Sequence, residues 1–330
     1  MHFNHMHLKL MQVNQLLVSL ALSVFSLGSL AQTYPAKPVR IIVPFPPGGP
    51  ADALGRVLAQ GLTEALGQAV IAENKTGAAG NIGVDQVAKA APDGYTLAVV
   101  PAGNIAVNPA LYPNLPYKAA DLAPVAMLAT VENALVIHVN VAAQSLKELI
   151  ALAAQKPESL QFASPGAGSQ AHLAGELLAL SANVRLLHVP YKGTGPALTD
   201  LLGGQITMMF SQVSSALPHI QSGKLRALGV ASLKRSRVLP GVPTIAEQGM
   251  PRFEAVSWYA LMAPAGTPEE VINRLNAETA RLFARADVRD RLGAQRMELA
   301  VGRPAELAAT IQSETARWSE VIRTRNIKPE

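Results

Sequence analysis

The stretch over residues 39–54 constrains this chain more than any other. It runs Val39-Arg40-Ile41-Ile42-Val43, then Pro44-Phe45-Pro46-Pro47-Gly48-Gly49, then an amphipathic run from Pro50. A short β-branched run, a Pro/Gly loop and a helical period make a strand–loop–helix unit. Gly49 suits the cap, Pro50 the first helical position and Asp52 the third. The first turn of such a helix has N–H groups without intrahelical partners, at the positive end of its dipole. It is a seat for an anion. Prolines carry no N–H, so the donors on offer are Phe45, Gly48, Gly49, Ala51 and Asp52. The same prolines stiffen the loop, so little entropy is lost when a ligand docks.

The unit recurs. Leu160-Gln161-Phe162-Ala163 reads as a strand, Ser164-Pro165-Gly166-Ala167-Gly168-Ser169 as a loop, and residues 170–180 as a helix. Two such loops in separate halves of a chain can face each other across a cleft.

The N-terminus reads as a secretory signal. Lys9 is the single formal charge of residues 1–31, an apolar run covers 16–30, and Ser29-Leu30-Ala31 suits cleavage before Gln32. A membrane anchor is the competing reading. The run is shorter than the ~20 residues a span needs, and Ser19, Ser23, Ser26, Gly28 and Ser29 break it. The histidines at 2, 5 and 7 leave with the signal. The chain has no cysteine. That excludes a lipidated N-terminal cysteine, disulfides and thiol catalysis. A free protein in a periplasm, cleaved after Ala31, is expected. Beyond the signal there are 27 basic and 23 acidic side chains. The excess is small and scattered, so no nucleic-acid partner is expected.

The remaining 299 residues suffice for two α/β domains. Strand and helix signals alternate throughout, which predicts parallel or mixed sheets covered by helices. Residues 74–83 form a Gly-rich connection that fits neither G-x-G-x-x-G nor a P-loop. It reads as a turn with a ligand-facing edge. Pro101-Ala102-Gly103-Asn104 falls at a strand end, where α/β ligand sites lie. Residues 125–139 form a long apolar stretch interrupted by Thr130, Glu132 and Asn133, as two strands with a crossing point between them would be. A strand-like run over 254–263 can carry the chain back.

Taken in order, these segments resemble the Bug-type periplasmic solute-binding proteins of tripartite tricarboxylate transporters. The resemblance rests on Tyr34-Pro35, Val43-Pro44-Phe45-Pro46-Pro47-Gly48-Gly49-x-x-Asp52 and Pro92-Asp93-Gly94-Tyr95-Thr96-Leu97. Ala163-Ser164-Pro165-Gly166-x-Gly168, His188-Val189-Pro190-Tyr191-Lys192-Gly193 and Ala263-Pro264-Ala265-Gly266-Thr267-Pro268 continue it. It implies a two-domain α/β fold of the periplasmic-binding-protein (Venus flytrap) kind, with mixed sheets and crossing hinge strands. Domain 1 would be 32–130 plus 255–330, and domain 2 would be 131–254. It further implies a receptor that holds a small carboxylate between the two Gly-rich loops and delivers it to membrane permease subunits. Dicarboxylates, tricarboxylates, amino acids and aromatic acids all qualify. No cofactor and no metal are expected, and the receptor should be a monomer.

The residues expected at the ligand are Phe45, Gly48, Gly49 and Asp52 on one side and Ser164, Gly168 and Ser169 on the other. Asn104, His172 and Ser211 extend the set. Neither loop holds Lys or Arg, so N–H groups and helix dipoles must do the binding. Some of these residues have a plainer role open to them. Asp52 beside an anion seat suits helix capping. His172, in a first helical turn, suits bracing of its loop. For Phe45 the plainer role is core, but a phenyl on an exposed proline loop better suits a cleft wall. Two rival functions use the same residues. One is an orphan receptor presenting its ligand to a sensor kinase. The other is a secreted hydrolase built from Ser164 or Ser169, His172 and Asp52. Against the hydrolase, Gly-x-Ser-x-Gly and His-Glu-x-x-His are both absent.

Overall fold

The structure is a computed structural model that describes residues 34–329. The expected signal and its cleavage site lie outside them. The compact body begins at Pro38.

The first unit folds as its sequence dictates. Strand β1 (Val39–Val43) leads through the proline loop into α1 (Pro50–Leu66), capped by Gly49 with Pro50 in the first turn. Left-handed Gly67 ends that helix. The apolar residues of β1 are fully buried, as expected for a parallel strand covered on both faces. The chain continues through β2 (Val70–Asn74), α2 (Asn81–Ala88) and β3 (Thr96–Pro101). A π-helical turn (Gly103–Val107) and the short α3 (Asn108–Leu111) follow at that strand end.

Strand β4 (Leu122–Val131) then ends at Glu132, and β5 (Asn133–His138) begins in another sheet. After these come α4 (Leu146–Gln155), β6 (Gln161–Ser164), α5 (Gln170–Ser181), β7 (Leu187–Pro190) and α6 (Thr194–Leu202). Strand β8 (Met208–Gln212), α7 (Val213–Gln221) and β9 (Leu225–Val230) complete that half. The chain returns on β10 (Ser257–Pro264) and ends with α8 (Glu269–Ala284), α9 (Ala286–Gly293), β11 (Glu298–Leu299) and α10 (Pro304–Arg325).

Two mixed sheets result. The first runs β11-β4-β10-β3-β1-β2, with β1 parallel to β2 and β3, and β10 antiparallel to β3 and β4. The second runs β7-β6-β8-β5-β9, with β6 parallel to β7 and β8, and β5 antiparallel to β8 and β9. Two segments pass between the sheets side by side. Ser257 pairs with Val131, and two residues further along Asn133 Nδ2 donates to the Ala255 carbonyl at 2.7 Å. The interruption at Glu132 is therefore the crossing.

Helix α5 is buried over most of its surface, including Ala171, Leu173, Ala174 and Leu178, and leaves Leu180 and Ser181 exposed. It packs against β8 and also against α10, a helix that lies on the first sheet's β4.

Candidate functional site

A cavity of about 1240 Å³ lies where the two halves meet. The proline loop and the start of α1 line it on one side, and residues 165–171 with the start of α5 on the other. The π-turn, Tyr112 and Trp258 also contribute to its walls.

The two loops are braced differently. In the first, the Asp52 carboxylate accepts from the Gly48 N–H (3.0 Å), Arg56 Nε (2.9 Å) and Asn74 Nδ2 (3.0 Å). Asn74 Nδ2 also donates to the Phe45 carbonyl at 2.9 Å, so one side chain holds both ends of the loop. Burial opposes ionisation of Asp52, but these donors and the Arg56 charge together hold its carboxyl below the usual range.

In the second loop, the Gly168 N–H donates to His172 Nδ1 at 3.0 Å, and Ser169 Oγ caps α5 by accepting from the His172 N–H at 3.3 Å. The His172 ring stacks on His188, centroids 3.7 Å apart and planes within 5°. His188 Nε2 meets Ser164 Oγ at 2.7 Å. Burial, then the neighbouring His172, push His188 down to about 4. Behind His172, Glu176 Oε1 lies 3.7 Å from its Nε2. Glu176 Oε2 accepts from Arg325 Nε of α10 at 2.5 Å. The second loop is thereby tied to the helix that packs on the first sheet.

The expected site residues divide accordingly. Phe45, Gly49, Asn104, Gly168, Ser169 and Ser211 line the cavity. Gly48, Asp52, Ser164 and His172 do not. Ser164 is fully buried, and its hydroxyl is spent on His188 and on the Gly166 backbone. Asp52 and His172 serve their loops. This corrects the expected donor set. The Gly48 and Gly168 N–H groups already have side-chain acceptors within their own loops. At the start of α1 the Gly49 and Ala51 N–H groups have no partner among the described residues, and at the start of α5 the same holds for Gln170 and Ala171. The N–H groups without partners thus lie one to three residues beyond the two glycines. The serines, His172 and Asp52 form no triad, because Asp52 is spent on Gly48, Arg56 and Asn74 in the other loop.

Asp85 is the one charged side chain among the lining residues, and it is paired with Lys89 at 2.7 Å. No grouping of three metal-ligating side chains occurs among the described residues. The polar walls are mainly amides: Asn81, Asn104, Asn108, Asn114 and Asn133 with Gln170 and Gln212.

Sequence reasoning missed Asn108, Gln170 and Trp258 as lining residues, and reached Asn81 only as part of the 74–83 connection with a ligand-facing edge. A signal existed for Asn81. It opens a helix near the end of the Gly-rich 74–83 connection that follows β2, in the same strand–loop–helix order as the two recognised loops. The buried indole N–H of Trp258 has no acceptor among the described residues.

The sequence profile of the tripartite tricarboxylate transporter family receptors matches residues 54–327. The chain belongs to this family. The family's BugT protein of Bordetella pertussis is 42% identical over 300 residues, covering 90% of this chain and 92% of BugT. Among solved structures, R. palustris Rpa4515 with adipate superimposes with a TM-score of 0.76 at 34% identity, covering 90% of this chain and all of that one. MatC from Rhodopseudomonas palustris with bound malate gives 0.72 at 35% identity, covering 88% of this chain and all of MatC. Solved periplasmic binding proteins share the receptor fold.

Proposed function

We propose that this receptor captures a small carboxylate between the starts of α1 and α5 and passes it to the membrane subunits of a tripartite transporter. One observation carries the reading. Two helix N-termini, each with N–H groups lacking partners among the described residues, open on one cavity whose described lining has no Lys or Arg. Oriented N–H groups and the positive helix ends favour an anion there without a counter-charge. The adipate and malate held by the two relatives are acids of the size such a cavity admits.

Closure of two lobes would complete the seat. In this reading the lobes are 32–130 plus 255–330 and 131–254, hinged at the paired crossings by Val131 and Ser257. Hinge closure around a ligand needs only a few residues to absorb the backbone change. The protein would act in the periplasm, released by cleavage after Ala31.

A thermal-shift screen of di- and tricarboxylates, amino acids and aromatic acids tests the reading. A ligand at a hundred times its Kd should add about 2.7 kcal/mol of stability, a shift of several degrees. Stabilisation only by cations or neutral sugars would overturn the proposal. N-terminal sequencing of the exported protein should begin at Gln32.

A further inference from the structure

The wall of the cavity beside Phe45 contains a buried amide cluster that neither loop explains. Asn81 Oδ1 accepts from Asn104 Nδ2 (2.9 Å) and Asn108 Nδ2 (2.7 Å). The Tyr117 hydroxyl lies 2.9 Å from the same oxygen and 2.7 Å from the Asn104 carbonyl, its one proton shared between them. Asn104 Nδ2 also donates to the Ala79 carbonyl at 3.0 Å. That last contact fixes every orientation. A carbonyl must face an N–H, so the Asn104 atom is nitrogen, its neighbour on Asn81 is oxygen, and the Asn108 atom facing that oxygen is nitrogen.

What remains is one NH2 group, on Asn81, and two carbonyl oxygens, on Asn104 and Asn108. All three residues line the cavity, and they are 6%, 2% and 7% exposed. None of these three atoms has a protein partner among the described residues, and none is sealed from solvent. They are therefore open to the cavity. Buried polar groups held this rigidly are costly to leave unmatched.

The nearby backbone is shaped to keep the cluster at the wall. Gly80 has φ +89, and a Cβ there would fall 2.9 Å from the Phe45 ring and 3.2 Å from Asn104 Nδ2. Phe45 thus packs directly against the start of α2. One turn along α2 stands Asp85.

We infer that the Asn81–Asn104–Asn108 cluster recognises a hydroxyl on the bound acid, so that the receptor selects hydroxycarboxylates. This rests on the carboxylate reading above. A hydroxyl matches the cluster because it both accepts, from Asn81 Nδ2, and donates, to Asn104 or Asn108 Oδ1. A second carboxylate there only accepts, and would meet two carbonyl oxygens and the Asp85 side. An ammonium only donates, and would meet the Asn81 NH2 group. A site built to hydrogen-bond a hydroxyl strongly rejects the analogue lacking it.

The experiment is calorimetric titration of the full mature chain with pairs differing by one hydroxyl. These are malate against succinate, 2-hydroxyglutarate against glutarate, and 4-hydroxybenzoate against benzoate, with aspartate added to the first. The hydroxylated member of at least one pair should bind tenfold or more tighter. Asn81→Asp keeps an oxygen for the three donors and replaces the NH2 group by an anionic acceptor, so it should favour ammonium. The malate-to-aspartate affinity ratio should fall at least 30-fold in that variant. Should Asn81→Asp not fold, the side-chain 15N–1H signals of the wild-type protein decide. On malate addition the Asn81 NH2 resonances should move, and on succinate addition they should not. Hydroxyl preference below threefold in every pair would overturn the inference alone. So would a ratio that Asn81→Asp leaves within threefold, or an unmoved Asn81 signal. A chain that binds none of the seven acids would overturn the carboxylate reading and this inference with it.

Discussion

The two loops that face each other across the cavity have one plan and two supports. Each joins a parallel strand to a helix start, and each has a glycine N–H held by a side chain four residues on. In the first loop that side chain is Asp52, and in the second His172. The surroundings differ as well. A Cβ on Gly48 would meet nothing within 4 Å, whereas one on Gly168 would lie 2.1 Å from Leu111 Cδ2. Leu111 belongs to α3, among elements of the first sheet, so the second loop makes close contact with the opposite half. The first loop is a stiff rim open to solvent. The second is a packed joint, linked through Glu176 and Arg325 to α10. The same backbone motif thus serves as a fixed wall on one side and a packed contact with the opposite half on the other.

The largest expected effect follows from that contrast. Gly168→Val puts a β-branched side chain at φ +72 and against Leu111. The left-handed backbone costs about 1–3 kcal/mol, and overpacking adds a similar amount. Thermal melts should show the loss, and ligand affinity should fall a hundredfold or more because the halves cannot meet. Leu111→Ala in the same chain should recover part of it, since the clash goes while the backbone strain stays. Gly48→Ala should cost only the backbone term, about 1–2 kcal/mol, as its φ is +92 with open space around it. Equal losses from the two substitutions would break the comparison.

Next in size is the ion pair behind the second loop. Glu176→Gln leaves a partly buried Arg325 without its carboxylate and should destabilise by about 2–3 kcal/mol in denaturant melts. Asp52→Asn keeps an acceptor for Gly48 but weakens the contact with a half-exposed Arg56, so about 1 kcal/mol is expected.

The supports should also fail at different pH. His188 is held neutral, down to about 4, while an unfolded histidine protonates near 6.5. Between those values the unfolded chain binds the extra proton. Stability is therefore complete above about 6.5 and falls as pH drops toward 4, by up to about 1.4 kcal/mol per unit. Asp52 is shifted the other way relative to its charge. Its contribution is complete above the ordinary carboxyl value of 3.8 and is lost only below it. His188→Phe keeps an aromatic ring between Phe162 and His172 and removes the titration. Melts from pH 7 to 3 should flatten in the upper window and keep their slope in the lower one. An unchanged upper window would show that His188 does not set the acid response.

Much of this was legible in the sequence because it is local. The β-branched run, prolines and Gly49 cap specify β1 and α1 within a few residues of one another. The polar break at Glu132 in an apolar stretch marked the crossing between sheets. Gly49 and Ala51 keep the free N–H groups expected of them, whereas Gly48 and Gly168 do not, because the state of a donor depends on its partners. A loop-bracing role for His172 was readable from its place in the first helical turn, but nothing local names Gly168 as the group it holds, or says that His188, on another strand, stacks on it. The amide cluster was hidden for the same reason. Asn81, Asn104, Asn108 and Tyr117 come together only once the π-turn after β3 folds against the start of α2. That turn carries no periodicity to announce it.

The smallest expected effect locates the carboxylate itself. Gly49 has φ −88 and ψ 175, an extended conformation open to any residue, and a Cβ there meets nothing within 4 Å. Gly49→Ala should leave stability within about 0.5 kcal/mol of wild type. Gly49 nonetheless lines the cavity, and its N–H has no partner among the described residues. A carboxylate oxygen taking that N–H would approach the backbone closely, and a methyl beside it would interfere. Affinity for the best acid of the screen should therefore drop three- to tenfold while the ligand-free melting temperature stays put. Gly48→Ala should show the reverse, a lower melting temperature with an affinity loss no greater than the lost stability explains, because its N–H already belongs to Asp52. If Gly49→Ala binds as tightly as wild type, the anion does not sit against the start of α1, and the seat belongs to Gln170 and Ala171 of α5 alone.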